Sequence, residues 1–217
     1  MAILIDESRS EHRRRSRRND IVVAAIRVFA RQGYADASIQ EVAAEAGVAP
    51  TAVYYHFSGK EDLFDVALGR ILEMITTVVR STRPDTDPAD AESLREVIFA
   101  VWDWLDEHPD ECLLLHHHLP GATPRARLLQ QQFEEIHLQR AFDYVDPHAG
   151  PPATTTPQGR ETPIARHATA ALAVRTLLNL TLFIHPLRTP DGPFRNVSQQ
   201  AMREALTEVS LRLVIGG

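Results

Sequence analysis

Apolar side chains recur three or four residues apart over most of the 217-residue chain. This spacing is typical of one buried face of an α-helix. It predicts helices over residues 16–32, 60–80, 91–107, 109–119, 124–144, 163–183 and 198–214, with two shorter helices on either side of Gly47. Because every predicted element is helical, about nine in all, the fold class is predicted to be all-α.

The two short helices have well-defined ends in the sequence. Ser38 and Glu41 form an S-x-x-E capping box that starts the first of them. Gly47 supplies the left-handed turn residue, and Pro50 suits the first position of the second helix, predicted over 50–56. Gly33 is expected to end the longer helix before this pair. Two short helices joined by a glycine turn are typical of a helix-turn-helix.

A longer pattern surrounds this turn, running from Ala43 to Leu63 as A-x-x-x-G-V-x-x-x-x-V-Y-Y-H-F-x-x-K-E-x-L. It closely resembles the DNA-binding domain of the TetR/AcrR family of transcriptional regulators, over roughly residues 16–66. The resemblance implies an N-terminal three-helix DNA-binding domain followed by a helical ligand-binding and dimerisation domain. It also implies that the last two helices pair across a two-fold axis, so the expected partner is a second copy of the chain. The rest of the chain carries no comparable motif.

The resemblance and the residue chemistry together predict a set of DNA contacts. Gln40 can bond adenine through two hydrogen bonds, and Thr51 suits a thymine methyl group. Lys60 lies in the first turn of its helix, where a cation opposes the helix dipole, so we predict that it holds a phosphate. Phe57 is expected to belong to the core. The predicted DNA-binding residues are Arg14, Arg15, Arg17, Ser38, Gln40, Ala49, Pro50, Thr51, Tyr54, Tyr55, His56 and Lys60.

Charge is unevenly distributed along the chain. The formal net charge is −6, yet residues 1–60 carry +2 and the remainder −8. A basic segment ahead of an acidic body is typical of a DNA-binding domain attached to a separate control domain. The predicted organisation is a flexible basic arm over 1–15, a helix-turn-helix domain over 16–62, and a regulatory and dimerisation domain over 63–217. A Pro-, Thr- and Gly-rich stretch, about 146–163, is predicted to be a mobile loop.

Composition adds a cellular setting. A single cysteine excludes an internal disulfide framework, and no stretch approaches the roughly 20 apolar residues of a membrane span. The N-terminal residues lack the order of charges found in a signal peptide. We therefore expect a protein of the cytoplasm that does not enter a membrane.

The control domain is predicted to bind a small molecule among its central helices. Cys112 and His116 are four residues apart, and His116, His117 and His118 are adjacent. Successive helical residues point about 100° apart, so three adjacent histidines cannot bind one ion, and no metal or cofactor is predicted. The predicted ligand-lining residues are Trp102, Trp104, Phe133, His137, Phe142 and Phe183.

The sequence contains no Gly-rich phosphate loop, HExxH or GxSxG motif, so the chain is not expected to be an enzyme. It is predicted to be a ligand-responsive transcriptional regulator, a repressor that binds a palindromic DNA operator as a homodimer and is released by a small molecule. Two alternatives remain open at this stage: an activator of the same fold, and a helical protein–protein adaptor that has lost DNA binding.

Overall fold

The computed structural model describes residues 2–87, 89–118, 122–145, 172, 175–176, 179–181, 184–185 and 192–214. These residues form helices joined by turns, with no strand in the described ranges, which confirms the all-α prediction. The helices are α1 (Ala2–Asp36), α2 (Ile39–Glu45), α3 (Pro50–His56), α4 (Lys60–Thr82), α5 (Ala91–Glu107), α6 (Pro109–His118), α7 (Pro124–Val145) and α8 (Gln199–Val214).

Most predicted helices have the expected ends. The bounds of α3 and α5 coincide with the predictions, and those of α4, α6, α7 and α8 differ by one or two residues. In contrast, α1 begins at Ala2, whereas hydrophobic spacing placed its start at 16. The predicted helix over 163–183 and the predicted loop over 146–163 fall almost wholly outside the described residues. Of that stretch, residues 172, 175–176 and 179–181 are helical.

The chain forms two compact units. The first unit contains residues 1–72 and 109–130, and the second contains 73–108 and 131–217. Helices α4 and α7 therefore contribute residues to both units. The domain boundary predicted at residues 62 and 63 stays a prediction.

In the first unit, α1 packs against α2, α3 and α6. The contact with α6 adds a fourth helix to the three that the sequence pattern grouped together. The hydroxyl of Thr123 caps α7 by accepting a hydrogen bond from the Ala126 backbone at 2.9 Å, and it also bonds Asp65 on α4. This buried threonine therefore joins the start of α7 to α4. The core of the unit includes Ile21, Ala25, Val28, Phe29, Val42, Val53, Phe57, Leu63, Phe64, Leu68, Ile71, Leu114 and Leu115.

In the second unit, α5 packs against α8. Helix α5 starts with a capping box between Asp90 and Ser93, a local signal that the sequence reading did not use. The core of this unit contains Leu94, Ile98, Trp102, Tyr144, Met202 and Leu206.

The helical spacing of α7 predicts Leu128 and Ile136 among its inward positions, and both predictions are wrong. Leu128 and Ile136 are exposed, whereas Phe133, His137 and Tyr144 are buried. Apolar residues occur on several sides of α7, so its own spacing does not decide which side the rest of the protein covers.

Candidate nucleic-acid interface

Helix α2 starts with the capping box that the sequence predicted. The Ser38 backbone N–H donates to the Glu41 carboxylate at 2.9 Å, and the Glu41 backbone N–H donates to the Ser38 hydroxyl oxygen at 3.3 Å. The Ser38 hydroxyl also donates to the same carboxylate at 2.7 Å. These hydrogen bonds lower the pKa of Glu41. The Ser38 hydroxyl proton is thus already in a hydrogen bond. The DNA contact of Ser38 stays a prediction, and a bond from this hydroxyl to a DNA phosphate would require the proton to leave the Glu41 carboxylate.

The turn between α2 and α3 requires glycine. Gly47 has φ of 65°, in the left-handed region, and its backbone N–H bonds the Ala44 carbonyl at 3.1 Å. The next N–H, of Val48, bonds the Ala43 carbonyl at 2.9 Å. This hydrogen bonding ends α2 and turns the chain into α3, as the sequence predicted.

Helix α3 is held by few residues and exposes the rest. Val53 is buried within the helix and Phe57 follows it at 2% exposure, which confirms the assignment of Phe57 to the core. Tyr54 and Tyr55 are 55% and 66% exposed. Pro50 and Thr51 also lie on the surface, next to Ala49, which offers no side-chain cap. The helix therefore presents two aromatic rings and a hydroxyl to the solvent instead of charged side chains.

Arginines from α1 surround the end of α3. The guanidinium of Arg18 lies 4.9 Å from the centre of the Phe57 ring, a cation–π distance. Burial lowers the pKa of His56, and the charges of Arg18, Arg17 and Arg14 lower it further. We call Arg14, Arg17, Arg18 and His56 the basic patch. Arg18 was absent from the predicted contacts, although its spacing from Arg14, four residues on one helix, places both on the same face.

Lys60 has internal partners that sequence reasoning did not anticipate. Its Nζ atom donates to the backbone oxygens of Ala35 and Ala37, both at 3.0 Å, and lies 4.8 Å from the centre of the Tyr34 ring. A cation is unfavourable at the start of α4 but favourable beside the carbonyls that end α1. The position of this lysine is therefore explained without DNA. Its phosphate contact stays a prediction. The ammonium group has a third N–H, which could donate to a phosphate while the other two bond the carbonyls.

One acidic residue of the helix-turn-helix, Glu45, is paired with two cations. The carboxylate of Glu45 on α2 lies 2.7 Å from Arg31 and 3.7 Å from Arg27. The hydrogen bond from Arg31 is the main cause that lowers the pKa of Glu45. These pairs join α1 to α2 and reduce the repulsion that an unpaired carboxylate would exert on a polyanion.

The structure brings several predicted DNA-binding residues to the surface of the first unit. Only Ser38, His56 and Lys60 are half-buried among them. Whether any of them contacts DNA stays a prediction. The exposed members are Arg14, Arg15, Arg17, Gln40, Ala49, Pro50, Thr51, Tyr54 and Tyr55.

The predicted ligand-lining residues lie in the second unit in different settings. Trp102 is part of the core beside His185, and Trp104 stacks on His108 at 4.5 Å. The rings of Phe133 and His137 lie 4.0 Å apart, so these two are in contact. The Phe142 side chain and the whole of Phe183 lie outside the described residues. Within the described part of the chain, no three His, Cys, Asp or Glu side chains are grouped so as to hold a metal ion, and no helix could cross a membrane.

This geometry is that of a helix-turn-helix, and the elements found in the described residues around it are helices. Residues 21–67 match the family described as "Bacterial regulatory proteins, tetR family". This segment, which runs from α1 into α4, is therefore similar to the DNA-binding domain of that family.

Two curated relatives extend the match. The transcriptional repressor NicS of Pseudomonas putida is 32% identical over 99 residues, 45% of this chain and 46% of that protein. The transcriptional activator FasR of Mycolicibacterium smegmatis is 28% identical over 138 residues, 63% of this chain and 62% of FasR. In each case the chain matches less than two thirds of the relative. Both relatives are transcriptional regulators of the helix-turn-helix type.

A solved structure covers more of the chain. The crystal structure of AibR in complex with isovaleryl coenzyme A and operator DNA covers 92% of this chain and 98% of that one, with a TM-score of 0.67 and 16% identity. At this identity the likeness concerns the fold.

Proposed function

We propose that this protein is a ligand-responsive transcriptional regulator that binds a palindromic DNA operator as a homodimer. The exposed face of α3, with Tyr54 and Tyr55 uncovered on an otherwise packed helix-turn-helix, is the observation that carries this proposal. Such a face has no packing role in the first unit, and a recognition helix is expected to meet base edges in the major groove.

The basic patch lies near this face and would attract the negatively charged DNA backbone. Phosphate contacts position a protein on DNA and make binding depend on salt, whereas contacts to base edges set the sequence preference. In the proposed complex Arg14, Arg17, Arg18 and His56 meet phosphates at one end of α3. Gln40, Thr51 and Tyr54 meet bases, and Lys60 adds a phosphate contact at the start of α4.

Pairing of two chains follows from the small reach of α3. A seven-residue helix contacts only a few base pairs, so two copies are needed for a specific site, with half-sites about 34–36 Å or a multiple apart. Exposed apolar side chains support pairing through the last two predicted helices, over residues 163–183 and 198–214. They include Leu172 and Val209.

We propose that the protein acts in the cytoplasm. Its effector site is proposed to lie in the second unit. The similarity to a fold solved with both an acyl coenzyme A and operator DNA supports the combination of the two activities. A ligand must bind the DNA-free arrangement more tightly, because only a difference in affinity between two arrangements shifts their populations. We propose repression, because NicS is a repressor, and the activator FasR makes activation the alternative.

Fluorescence anisotropy with the DNA upstream of the chain's own gene tests the proposal. The wild-type protein should bind that DNA at least about 10³-fold more tightly than a scrambled duplex of the same length and composition, with two chains per site. The Arg195→Ala variant, an exposed arginine in the second unit, serves as a matched control and should bind like the wild type. Equal affinity for both duplexes would contradict the proposal and favour the adaptor alternative.

A further inference from the structure

The inner face of α7 contains a buried histidine whose hydrogen bonding is only half satisfied. His137 is 5% exposed, between the buried Phe133 and the buried Arg140 on the same helix face. Its Nδ1 atom lies 2.8 Å from the backbone oxygen of Phe133. Its Nε2 atom is buried, and none of the described residues forms a hydrogen bond with it.

The first hydrogen bond fixes the tautomer. A carbonyl oxygen only accepts hydrogen bonds, so Nδ1 must carry the hydrogen in this contact. Burial lowers the pKa of His137, and the charge of Arg80 lowers it further, so the ring is neutral near pH 7. A neutral ring has one N–H only, and Nε2 is therefore left with a lone pair that can accept but not donate.

A buried acceptor without a partner requires an explanation, because nearly all buried polar groups in native proteins are hydrogen-bonded. The Phe133 ring lies 4.0 Å from the imidazole and provides an apolar neighbour on one side. An acceptor beside an aromatic surface matches a small molecule that has an apolar body and one donor group.

We infer that Nε2 of His137 accepts a hydrogen bond from the effector, and that the effector is a neutral molecule with an apolar body and a hydroxyl or N–H group. This inference rests on the effector site of the proposed function. It excludes a carboxylate as the group that meets His137, since two acceptors cannot bond each other. The inferred contact requires the neutral tautomer with hydrogen on Nδ1, which the hydrogen bond to the Phe133 carbonyl fixes.

The first test reads the tautomer in the full-length wild-type protein. Nuclear magnetic resonance of a sample with ¹⁵N-labelled histidine distinguishes a protonated ring nitrogen from an unprotonated one, and a His137→Phe spectrum assigns the signal. The expected result is hydrogen on Nδ1 and a bare Nε2. Hydrogen on Nε2, or an Nε2 shift already typical of an accepted hydrogen bond, would overturn the inference.

The second test uses matched pairs of probes: phenol with benzene, indole with indene, and cyclohexanol with cyclohexane, with benzoate as the anion. At least one donor-bearing probe should bind the wild type about 10-fold more tightly than its partner and should shift the Nε2 signal. That preference should disappear in His137→Phe and persist in His117→Phe, which replaces an exposed histidine on α6.

If no donor-bearing probe is preferred in any pair, or if benzoate binds best, the inference is wrong. Neither readout involves DNA. A failure here therefore leaves the proposed DNA binding intact, and a protein that ignores its upstream DNA can still pass both tests.

Discussion

The exposed face of α3 and the inner face of α7 carry similar side chains in opposite surroundings. On α3, Tyr54 and Tyr55 lie in solvent and His56 is half-buried beside arginines. On α7, Phe133, His137 and Tyr144 are buried. The presence of aromatic and histidine side chains on a helix therefore does not by itself decide whether that face is exposed or buried.

The difference lies in what the surrounding protein supplies. Val53 and Phe57 are buried while Tyr54 and Tyr55 stay exposed, so in the proposed complex the two tyrosine rings are available to DNA. The face of α7 is buried, and the hydrogen bond from His137 to the Phe133 carbonyl sets which ring nitrogen can accept a hydrogen bond. Four predictions test this contrast, in order of decreasing effect.

The largest effect is expected from Phe57, the buried aromatic residue that directly follows α3. Phe57→Ala should lower the free energy of unfolding by about 3–5 kcal/mol, because it removes a buried ring and leaves a cavity. Tyr54→Ala, at an exposed ring, should change it by about 0.5 kcal/mol or less and should weaken DNA binding instead. Urea unfolding and DNA titration of both variants measure the two effects. A Tyr54→Ala variant that unfolds like Phe57→Ala would show that Tyr54 is a core residue.

Lys60→Ala should show two effects. Loss of the hydrogen bonds from Nζ to the Ala35 and Ala37 carbonyls should lower the free energy of unfolding by roughly 1–3 kcal/mol. Loss of a phosphate contact should lower the slope of log affinity against log salt by about 1. If stability falls and the slope is unchanged, the role of Lys60 is to position α4 and not to hold DNA.

Gly47→Ala should lower the free energy of unfolding by about 1–2 kcal/mol, because φ of 65° is unfavourable for any residue with a Cβ. Space is not the limit, since a Cβ at Gly47 would meet no atom within 4 Å. Gly59→Ala is the matched control, with equal space around it, and should change stability by about 0.5 kcal/mol or less. Equal effects in thermal or urea unfolding would contradict the strain argument.

The smallest effect concerns pH and the buried face of α7. Burial lowers the pKa of His137 below its usual 6.5, so the unfolded chain takes up a proton first as pH falls. The stabilisation is complete above about pH 6.5 and is lost as pH falls toward the folded-state pKa, by at most about 1.4 kcal/mol per pH unit. Between pH 7 and 5, His137→Gln should lose less stability than the wild type. Parallel curves from urea unfolding would contradict the assigned direction.

Local signals explain why much of the first unit was predictable. The capping box of Ser38 and Glu41, the turn at Gly47 and the start at Pro50 each act within a few residues, so the sequence contains the whole interaction. The exposed face of α3 followed from the same pattern.

Contacts between distant segments were not predictable in this way. The partners of Lys60 lie 23 and 25 residues earlier in the chain, and α6 joins the first unit from beyond α5. On α7 the spacing marked Leu128 and Ile136 as inward, yet the packing that decides this comes from other helices. The lack of a hydrogen-bond partner for Nε2 of His137 among the described residues could likewise not be read from the sequence of α7.

Selection from random DNA with wild-type protein, Thr51→Ala and Arg195→Ala tests the central claim most directly. The claim is that the exposed face of α3 reads base sequence. Wild type and Arg195→Ala should return one palindromic motif, and Thr51→Ala should return the same motif with relaxed preference at one position in each half-site. If Thr51→Ala returned the unchanged wild-type motif, the base contact assigned to Thr51 on that face would be wrong.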